Sequence, residues 1–182
     1  LLIVEEVSGM CFSNYASEFI LTPLAMYSAS YEPNAQLLAR TADGHGYSGT
    51  VVPNFHFTAK AAASLHATAE DLAKFAVANM HANPVLTEAT VELMHLPAAN
   101  TADRQGLGFS LVGNGNIVGH SGSNTGWKAM IRFVPQAGAG IVVLTNSDSG
   151  DKLTIDALCF WNTHYAIGYL DKGCQDRLDQ QQ

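Results

Sequence analysis

The stretch IVGHSGSNTGWKAMIRFVPQAGAGIVVLTN, residues 117–146, decides the fold because it holds three apolar segments joined by tight turns. The segments NIVGHSG, GWKAMIRFV and AGIVVLTN are separated by Gly, Asn and Pro, and a similar segment, GLGFSLV, precedes them. Runs of this length and composition predict strands. Connections this short favour antiparallel pairing, so we predict four neighbouring antiparallel strands after residue 104.

Helical spacing of apolar residues precedes the strands. Residues 1–26 predict two helices, which break at Gly9 and end at Pro23. Between these helices and the next helical pattern, residues 31–60 are rich in Gly, Pro, Asn, Thr and His and show no sustained period. This composition predicts a long surface loop.

Two threonines stand where further helices are predicted to begin. Thr68 precedes AEDLAKFAVANM, whose buried stripe would be Leu72, Phe75, Ala76 and Met80. A second threonine, at position 87, opens a shorter helix through about residue 94.

Residues 151–169 predict a last helix after the strands. The face expected to cover the sheet is formed by Leu153, Ala157, Phe160, Trp161 and His164. Helices followed by an antiparallel sheet with a helix packed on it predict the α+β class. We divide the chain into a helical region with a long loop (1–104), the sheet with its C-terminal helix (105–170), and a polar tail (171–182).

Composition limits the partners. Charged residues make up 14% of the 182 residues, which is well below the usual share of about 25%. The net charge is −7, and the nine Lys and Arg residues are not clustered, which argues against nucleic acid or an anionic membrane as partner. A small molecule, a peptide or another protein remains.

Metal and disulfide signals are weak. Cys11, Cys159 and Cys174 allow at most one disulfide, and no pair has the C-x-x-C spacing of zinc sites. The seven histidines show no H-x-x-x-H pair, so we predict no metal and no cofactor.

The apolar start LLIV stops at Glu5, which is too short for a membrane span or a signal peptide. Because the chain does not begin with Met, we expect that the beginning of the natural protein is missing. The cellular compartment cannot be predicted from this end.

His120 is the candidate site residue because small residues surround it: Gly119, Ser121, Gly122 and Ser123. One interpretation is a strand and turn whose glycines serve backbone geometry. The other is a site strand that offers a titratable side chain and free backbone N–H groups to a substrate.

Four segments in order resemble the later half of the penicillin-recognising serine hydrolases, which include class C β-lactamases, D-alanyl-D-alanine carboxypeptidases, D-aminopeptidases and related esterases. They are EEVSGMCFSNYASEFILTPLAM, SLHATAEDLAKF, QGLGFSL and GHSGSNTGWKAMIRFVPQAGAGIVVLTNS. The resemblance covers residues 1–160 and implies a partial β-lactamase/transpeptidase-like fold. It also implies a bacterial periplasmic or extracellular location.

The resemblance assigns roles in the third motif of the family, His-x-Gly. His120 and the backbone N–H of Ser123 would be catalytic, the latter as one oxyanion-hole donor. Ser121, Gly122 and Asn146 would bind the substrate. The missing lysine in this motif hints at peptidase or esterase relatives rather than a typical class C β-lactamase.

Two motifs of the family have no matching counterpart in this chain. The nucleophile lies in Ser-x-x-Lys and a second proton-transfer group in Tyr-x-Asn, and in the family both precede the region that this chain resembles. Ser149-Gly-Asp-Lys152 has the spacing of the first motif but follows the strands, so we interpret Ser149 as the N-cap of the last helix. Tyr15, in FSNY, is interpreted as a core residue.

Three hypotheses follow. The chain is the C-terminal part of a serine hydrolase that acts on β-lactams, D-amino-acid peptides or esters and is inactive alone; a catalytically silent relative that binds a ligand or protein; or an unrelated α+β interaction domain. Under the first, either a missing N-terminal segment or self-association would cover an exposed apolar face.

Overall fold

A computed structural model describes residues 1–55, 57–113, 115–165 and 174. Seven α-helices lie in these ranges: α1 (Leu2–Ser8), α2 (Phe12–Ala16), α3 (Ala35–Leu38), α4 (Lys60–Ala63), α5 (Ala69–Ala78), α6 (Glu88–His95) and α7 (Asp151–His164). Six strands lie there too: β1 (Gly44–His45), β2 (Val51–Val52), β3 (Ser110–Val112), β4 (Ile117–Asn124), β5 (Trp127–Val134) and β6 (Ala139–Thr145).

The predicted four-stranded antiparallel sheet is confirmed, with spatial order β3-β4-β5-β6. Strands β4 and β5 form a hairpin across the two-residue turn Thr125-Gly126, where glycine adopts a φ of +82° that an L side chain rarely adopts. Strand β3 pairs only with residues 117–119 of β4. Among the residues that the structure describes, no strand pairs with the rest of that edge of β4.

The sheet is covered on both faces. On one face, Phe109, Leu111, Val118, Ile131 and Phe133 form a cluster with Ala76 of α5. On the other face, a second cluster joins the sheet to Trp161 and Leu158 of α7. The molecule is thus an α+β fold with its C-terminal helix packed on the sheet, as predicted.

Helix α5 begins where the sequence predicts. The Thr68 hydroxyl accepts the Asp71 N–H at 3.1 Å, and the Asp71 carboxylate reaches back to the Thr68 N–H and hydroxyl. This reciprocal arrangement satisfies backbone donors that the first turn of a helix leaves unpaired. Thr87 caps α6 with one such bond, in which its hydroxyl accepts the Thr90 N–H.

The surface loop predicted over residues 31–60 contains short elements that the sequence did not predict. This region contains α3, the hairpin formed by β1 and β2, and the start of α4. The hairpin is held from outside, because the His45 N–H donates to the Asn146 carbonyl and Gly44 packs against Trp127. Two-residue strands carry no periodic signal, so only these distant contacts reveal them.

The predicted sheet-facing side of the last helix is confirmed at Trp161, which packs on the sheet, and wrong at three other positions. Leu153 and Phe160 are 59% and 57% exposed, and His164 is exposed as well. The buried side runs through Thr154, Cys159 and Trp161.

Ser149 does not cap the last helix, contrary to prediction. It lies in a 3₁₀ turn, Asp148–Gly150, and its N–H donates to the Ser147 hydroxyl at 3.1 Å. The helix follows directly from this turn, with Gly150 at its N-cap position and no side-chain cap.

Cys159 of α7 forms a disulfide with Cys174, and Cys11 is a free, exposed thiol. The predicted continuation of α7 to Tyr169 and the polar tail 171–182 lie outside the described residues, apart from Cys174. Within the described ranges, no helix is long and apolar enough to cross a membrane.

His95, at the end of α6, gives the first testable prediction. Its ring packs against Phe109 and Phe133, with ring centroids 5.5 and 5.6 Å away, and burial lowers its pKa. The unfolded chain therefore binds this proton more tightly than the folded chain does. Stability is expected to fall as the pH drops below about 6.5, the ordinary pKa of histidine.

The measurement is urea unfolding at pH 7.5 and pH 5.0 for the native chain and for His95→Phe. The variant should lose less stability on acidification than the native chain. A His81→Phe control, which changes an exposed histidine, should keep the native pH dependence. An identical acid loss in all three proteins would contradict the assignment to His95.

Candidate active site

The candidate site lies on the part of β4 that extends beyond β3. The last pairing of β3 with β4 joins Ser110 to Gly119, whereas β5 accompanies β4 as far as Asn124. His120, Ser121, Gly122 and Ser123 are all exposed on this stretch. One edge of the strand there is open to a ligand.

The register shows where the N–H groups of this stretch point. Asn124 and Trp127 close the two-residue turn as a hydrogen-bonded pair, so bonded and non-bonded pairs alternate from there. The pairs Ser123↔Lys128 and Ser121↔Met130 are then non-bonded, and the N–H groups of the two serines are directed away from β5. Neither N–H has a backbone partner outside the strands among the described residues.

A cavity of about 930 Å³ adjoins the open stretch. Its walls come from β4 to β6, from the segment around α4, and from the loops near residues 31 and 55. Side chains on these walls include Tyr31, Phe55, Phe57, Lys60, Ser64 and His66. The cavity is thus lined by aromatic and polar groups on the side of the sheet that carries α5.

The predicted site residues on β4 lie on two different faces of the sheet. Because side chains alternate along a strand, His120 and Gly122 lie on the α5 side, and Ser121 and Ser123 lie on the α7 side. Ser121, Gly122 and Ser123 nevertheless line both the large cavity and a smaller one of about 310 Å³ on the α7 side. The two faces meet at the open edge of β4.

Sequence reasoning missed two cations on the α7 side. The Lys128 ammonium donates to the Ser123 hydroxyl at 2.8 Å, and the Arg132 guanidinium donates to the Ser121 hydroxyl at 3.0 Å. Lys128 also pairs with Asp151 at 3.1 Å, and this hydrogen bond raises the pKa of the ammonium. The sequence held one signal for the Lys128 contact. A two-residue turn at Thr125-Gly126 fixes the register of the hairpin, which places Lys128 directly opposite Ser123.

Asn146 lines the large cavity, but its side chain is partly engaged. The amide nitrogen donates to the Asp43 carbonyl at 2.8 Å, and the backbone carbonyl accepts the His45 N–H at 3.0 Å. Asn146 therefore fastens the β1–β2 hairpin to the end of β6. Its side-chain oxygen remains the group available to a ligand.

Trp127 packs against the β1–β2 hairpin. A Cβ added at Gly44 would come within 2.6 Å of its indole nitrogen, so the hairpin lies directly on the ring. The ring also contributes to the wall of the large cavity.

An ion pair stands at the far wall of the cavity. Lys60 donates to Glu32, and this contact lowers the pKa of the Glu32 carboxyl and raises that of Lys60. Burial raises the pKa of the neighbouring Tyr31. Among the described residues, no group of three His, Cys, Asp or Glu side chains is placed to hold a metal ion.

The two motif look-alikes do not form a site. The Lys152 ammonium pairs with Asp156 on the next turn of α7, and Ser149 is exposed at the preceding turn. Tyr15 is half-buried, with its ring 5.0 Å from that of Phe19. His56 lies outside the described residues.

Comparison with solved structures identifies the fold. The chain matches a D-alanine carboxypeptidase from Burkholderia cenocepacia (20% identity, TM-score 0.71, 81% of this chain and 53% of that one). It matches a β-lactamase/D-alanine carboxypeptidase from Pseudomonas syringae (16%, 0.76, 90% and 56%). A penicillin-binding protein from Bacillus halodurans is also similar (26%, 0.70, 86% and 52%). The chain therefore spans about half the length of these proteins.

A search of curated proteins gave no match. The family model described as Beta-lactamase matches residues 2–158, which is most of the chain and includes every element from α1 to the first half of α7. The sheet, the covering helix and the strand with His120-Ser121-Gly122 all fall inside this match. On this evidence the chain belongs to the Beta-lactamase family.

Proposed function

We propose that this chain forms the substrate-binding part of a serine hydrolase that acts on a β-lactam, a D-amino-acid peptide or an ester through an acyl-enzyme. The open edge of β4 carries the proposal, because the Ser123 N–H points out of the sheet beside the large cavity. An N–H aimed at the oxygen of a tetrahedral intermediate stabilises the transition state by roughly 3 to 4 kcal/mol in acyl-transfer enzymes.

In this proposal His120 faces the reacting group from the α5 side, and Gly122 lets the substrate backbone approach. A Cβ at Gly122 would contact only Ala129, at 3.8 Å, so the space above this residue is open. Asn146 would contribute its side-chain oxygen at the end of β6. The aromatic wall formed by Phe55 and Phe57 is suited to an apolar substituent of the substrate.

We further propose that the nucleophile comes from outside this sequence. The Lys152 ammonium pairs with Asp156, and Tyr-x-Asn does not occur in the chain. The apolar side chains of Leu2, Ile3 and Val7 on α1 are exposed. A preceding segment, or a second copy of the chain, would cover them in this proposal.

The test is hydrolysis of a chromogenic cephalosporin and a p-nitrophenyl ester by the 182-residue chain and by its Ser149→Ala variant. We expect no saturable turnover from either, because donors without an activated nucleophile have no acyl-enzyme to stabilise. Saturable turnover that the substitution abolishes would assign the nucleophile to Ser149 instead.

The positive arm uses the product of the whole reading frame that encodes this chain. Incubation with benzylpenicillin should add the mass of one penicilloyl group, as measured by intact-protein mass spectrometry. A His120→Ala variant should acylate at least tenfold more slowly. If the whole product binds no acyl group from the penicillin, the ester or a D-alanyl-D-alanine peptide, the hydrolase proposal fails and a silent binding protein is favoured.

A further inference from the structure

The two-residue turn between β4 and β5 does not follow the backbone pattern that hairpins of this length prefer. Gly126 has a φ of +82°, whereas the φ of Thr125 is negative. This is the pattern of a type II turn, which takes a positive φ at its third residue. Two-residue hairpins favour type I′ and II′ turns, because types I and II splay the two strands. Contacts from outside the hairpin are therefore needed to hold this turn.

Asp148 makes such a contact with the backbone of the turn. Its carboxylate accepts the Gly126 N–H at 2.7 Å, from 22 positions further along the chain. Gly126 lies between the paired residues Asn124 and Trp127, so its N–H has no acceptor across the hairpin. A hydrogen bond to an ionised carboxylate is roughly twice as strong as one between neutral groups. The carboxylate thus stabilises the one central N–H that the type II geometry directs outward.

Asp148 is itself held in place by the end of β6. It begins the 3₁₀ turn Asp148–Gly150, in which the Gly150 N–H donates to the Ser147 carbonyl at 3.0 Å. A Cβ added at Gly150 would collide with the Thr145 hydroxyl, so the turn packs directly on the strand. None of the ion pairs among the described residues includes Asp148. The carboxylate is therefore fixed in position and available to the turn.

Two uncharged contacts hold the other sides of the hairpin tip. A Cβ added at Gly126 would collide with the Val52 side chain, so the turn packs against the β1–β2 hairpin. The Asn124 side-chain amide donates to the Ala63 carbonyl at 3.1 Å. The tip thus lies between three segments, and Asp148 supplies its charged contact.

The position of this tip determines where the Ser123 N–H points. Ser123 immediately precedes Asn124, the last residue of β4, and among the described residues only β5 pairs with this stretch. A strand that is paired on one side can twist about its free edge, unless its end is held. Rotation of the turn would therefore redirect the Ser123 N–H away from the cavity of about 930 Å³.

We propose that Asp148 is a positioning residue, which fixes the β4–β5 turn and thereby directs the Ser123 N–H into the large cavity. Its effect on acylation rests on the proposed function, whereas its hold on the turn does not. Because the negative charge on the oxygen develops in the transition state, loss of Asp148 should slow acylation with little change in noncovalent binding.

The hold on the turn is measured on the 182-residue chain by NMR. Asp148→Ala should make amide hydrogen exchange at Gly126 at least tenfold faster and should shift the amide signal of Ser123. Asp148→Asn keeps an oxygen acceptor without the charge, so its effect on both signals should be smaller than that of alanine.

Two control variants separate this contact from general effects. Ser149→Ala alters an exposed side chain in the same 3₁₀ turn, and Glu92→Gln removes one negative charge from an exposed site on α6. Neither should change Gly126 exchange. Native exchange in Asp148→Ala, or an equal effect of Ser149→Ala, would overturn the proposal. If Asp148→Ala does not fold, Asp148→Asn must exchange faster at Gly126 than Glu92→Gln does, or the proposal fails.

The effect on the reaction is measured on the product of the whole reading frame, as the rate of acylation by benzylpenicillin over a range of concentrations. Asp148→Ala should lower the maximal rate at least fivefold and leave the half-saturating concentration within twofold. The rate is normalised to the fraction of molecules that finally acylate. A merely structural role would lower that fraction and leave the normalised rate unchanged, which would overturn the positioning role.

Failure of the proposed function gives a different result. If the whole protein never acylates, the hydrolase assignment is lost. Exchange at Gly126 and the Ser123 signal then still decide whether Asp148 fixes the open end of β4.

Discussion

Gly119→Ala is expected to destabilise the protein by about 3 kcal/mol, because the added methyl group has no space. An ideal Cβ at this position would lie 2.1 Å from the Ile131 carbonyl oxygen and 3.0 Å from the Arg132 Cα. Both are backbone atoms of β5, so the strands would have to separate where the sheet carries the candidate site. Thermal and urea unfolding measure the loss.

Gly122→Ala is the matched control on the same strand. Its Cβ would meet only the Ala129 side chain at 3.8 Å, which is an ordinary contact. We expect stability within about 0.5 kcal/mol of the native chain, as for other open surface positions. If the two alanine variants unfold alike, the close approach of β5 to Gly119 is not what requires glycine there.

Phe133→Ala is expected to destabilise the protein by about 3 to 5 kcal/mol, since it removes a completely buried ring from the main cluster. Phe133 is 0% exposed, and its ring contacts those of Phe109 and His95, with centroids 5.6 Å from each. The cavity left behind would lie between the sheet and α6. In a domain of this size such a change lowers the Tm by roughly 10 °C.

Phe160→Ala makes the same chemical change on the exposed side of α7. This ring is 57% exposed and stacks on His164, with centroids 3.8 Å apart. We expect a loss of less than about 1 kcal/mol, because little apolar surface returns to water. A Phe160→Ala loss as large as that of Phe133→Ala would mean that Phe160 packs on the sheet, as the sequence predicted, and is not exposed as in the structure.

The sequence predicted correctly those elements whose stabilising contacts lie within one short segment. Thr68 and Thr87 begin helices because a hydroxyl satisfies N–H groups only three residues away. The strands from residue 110 to 145 are short apolar segments that end at turn residues, so their number and antiparallel order were predictable. The resemblance of four ordered segments to one family was likewise visible in the sequence, and the match over residues 2–158 confirms it.

The face that a helix buries and the short elements within a loop depend on contacts between distant segments. The face that α7 presents to the sheet was predicted only in part, because apolar residues on both sides of the helix made the hydrophobic pattern ambiguous. The β1–β2 hairpin exists because Asn146, about a hundred positions away, bonds to its first strand. This contact leaves no periodic trace in the local sequence.

The sequence by itself determined which strand carries the candidate site, since His120-Ser121-Gly122-Ser123 lies in one short segment of recognisable pattern. Only the tertiary structure shows on which face of the sheet each of these residues lies and which cations contact them. The early end of β3 leaves the edge of β4 open, and strand alternation sends His120 and Ser121 to opposite faces. The missing side chain of Gly119 brings Arg132 across the sheet to Ser121, because a hydrogen bond depends on register and distance rather than on order along the chain.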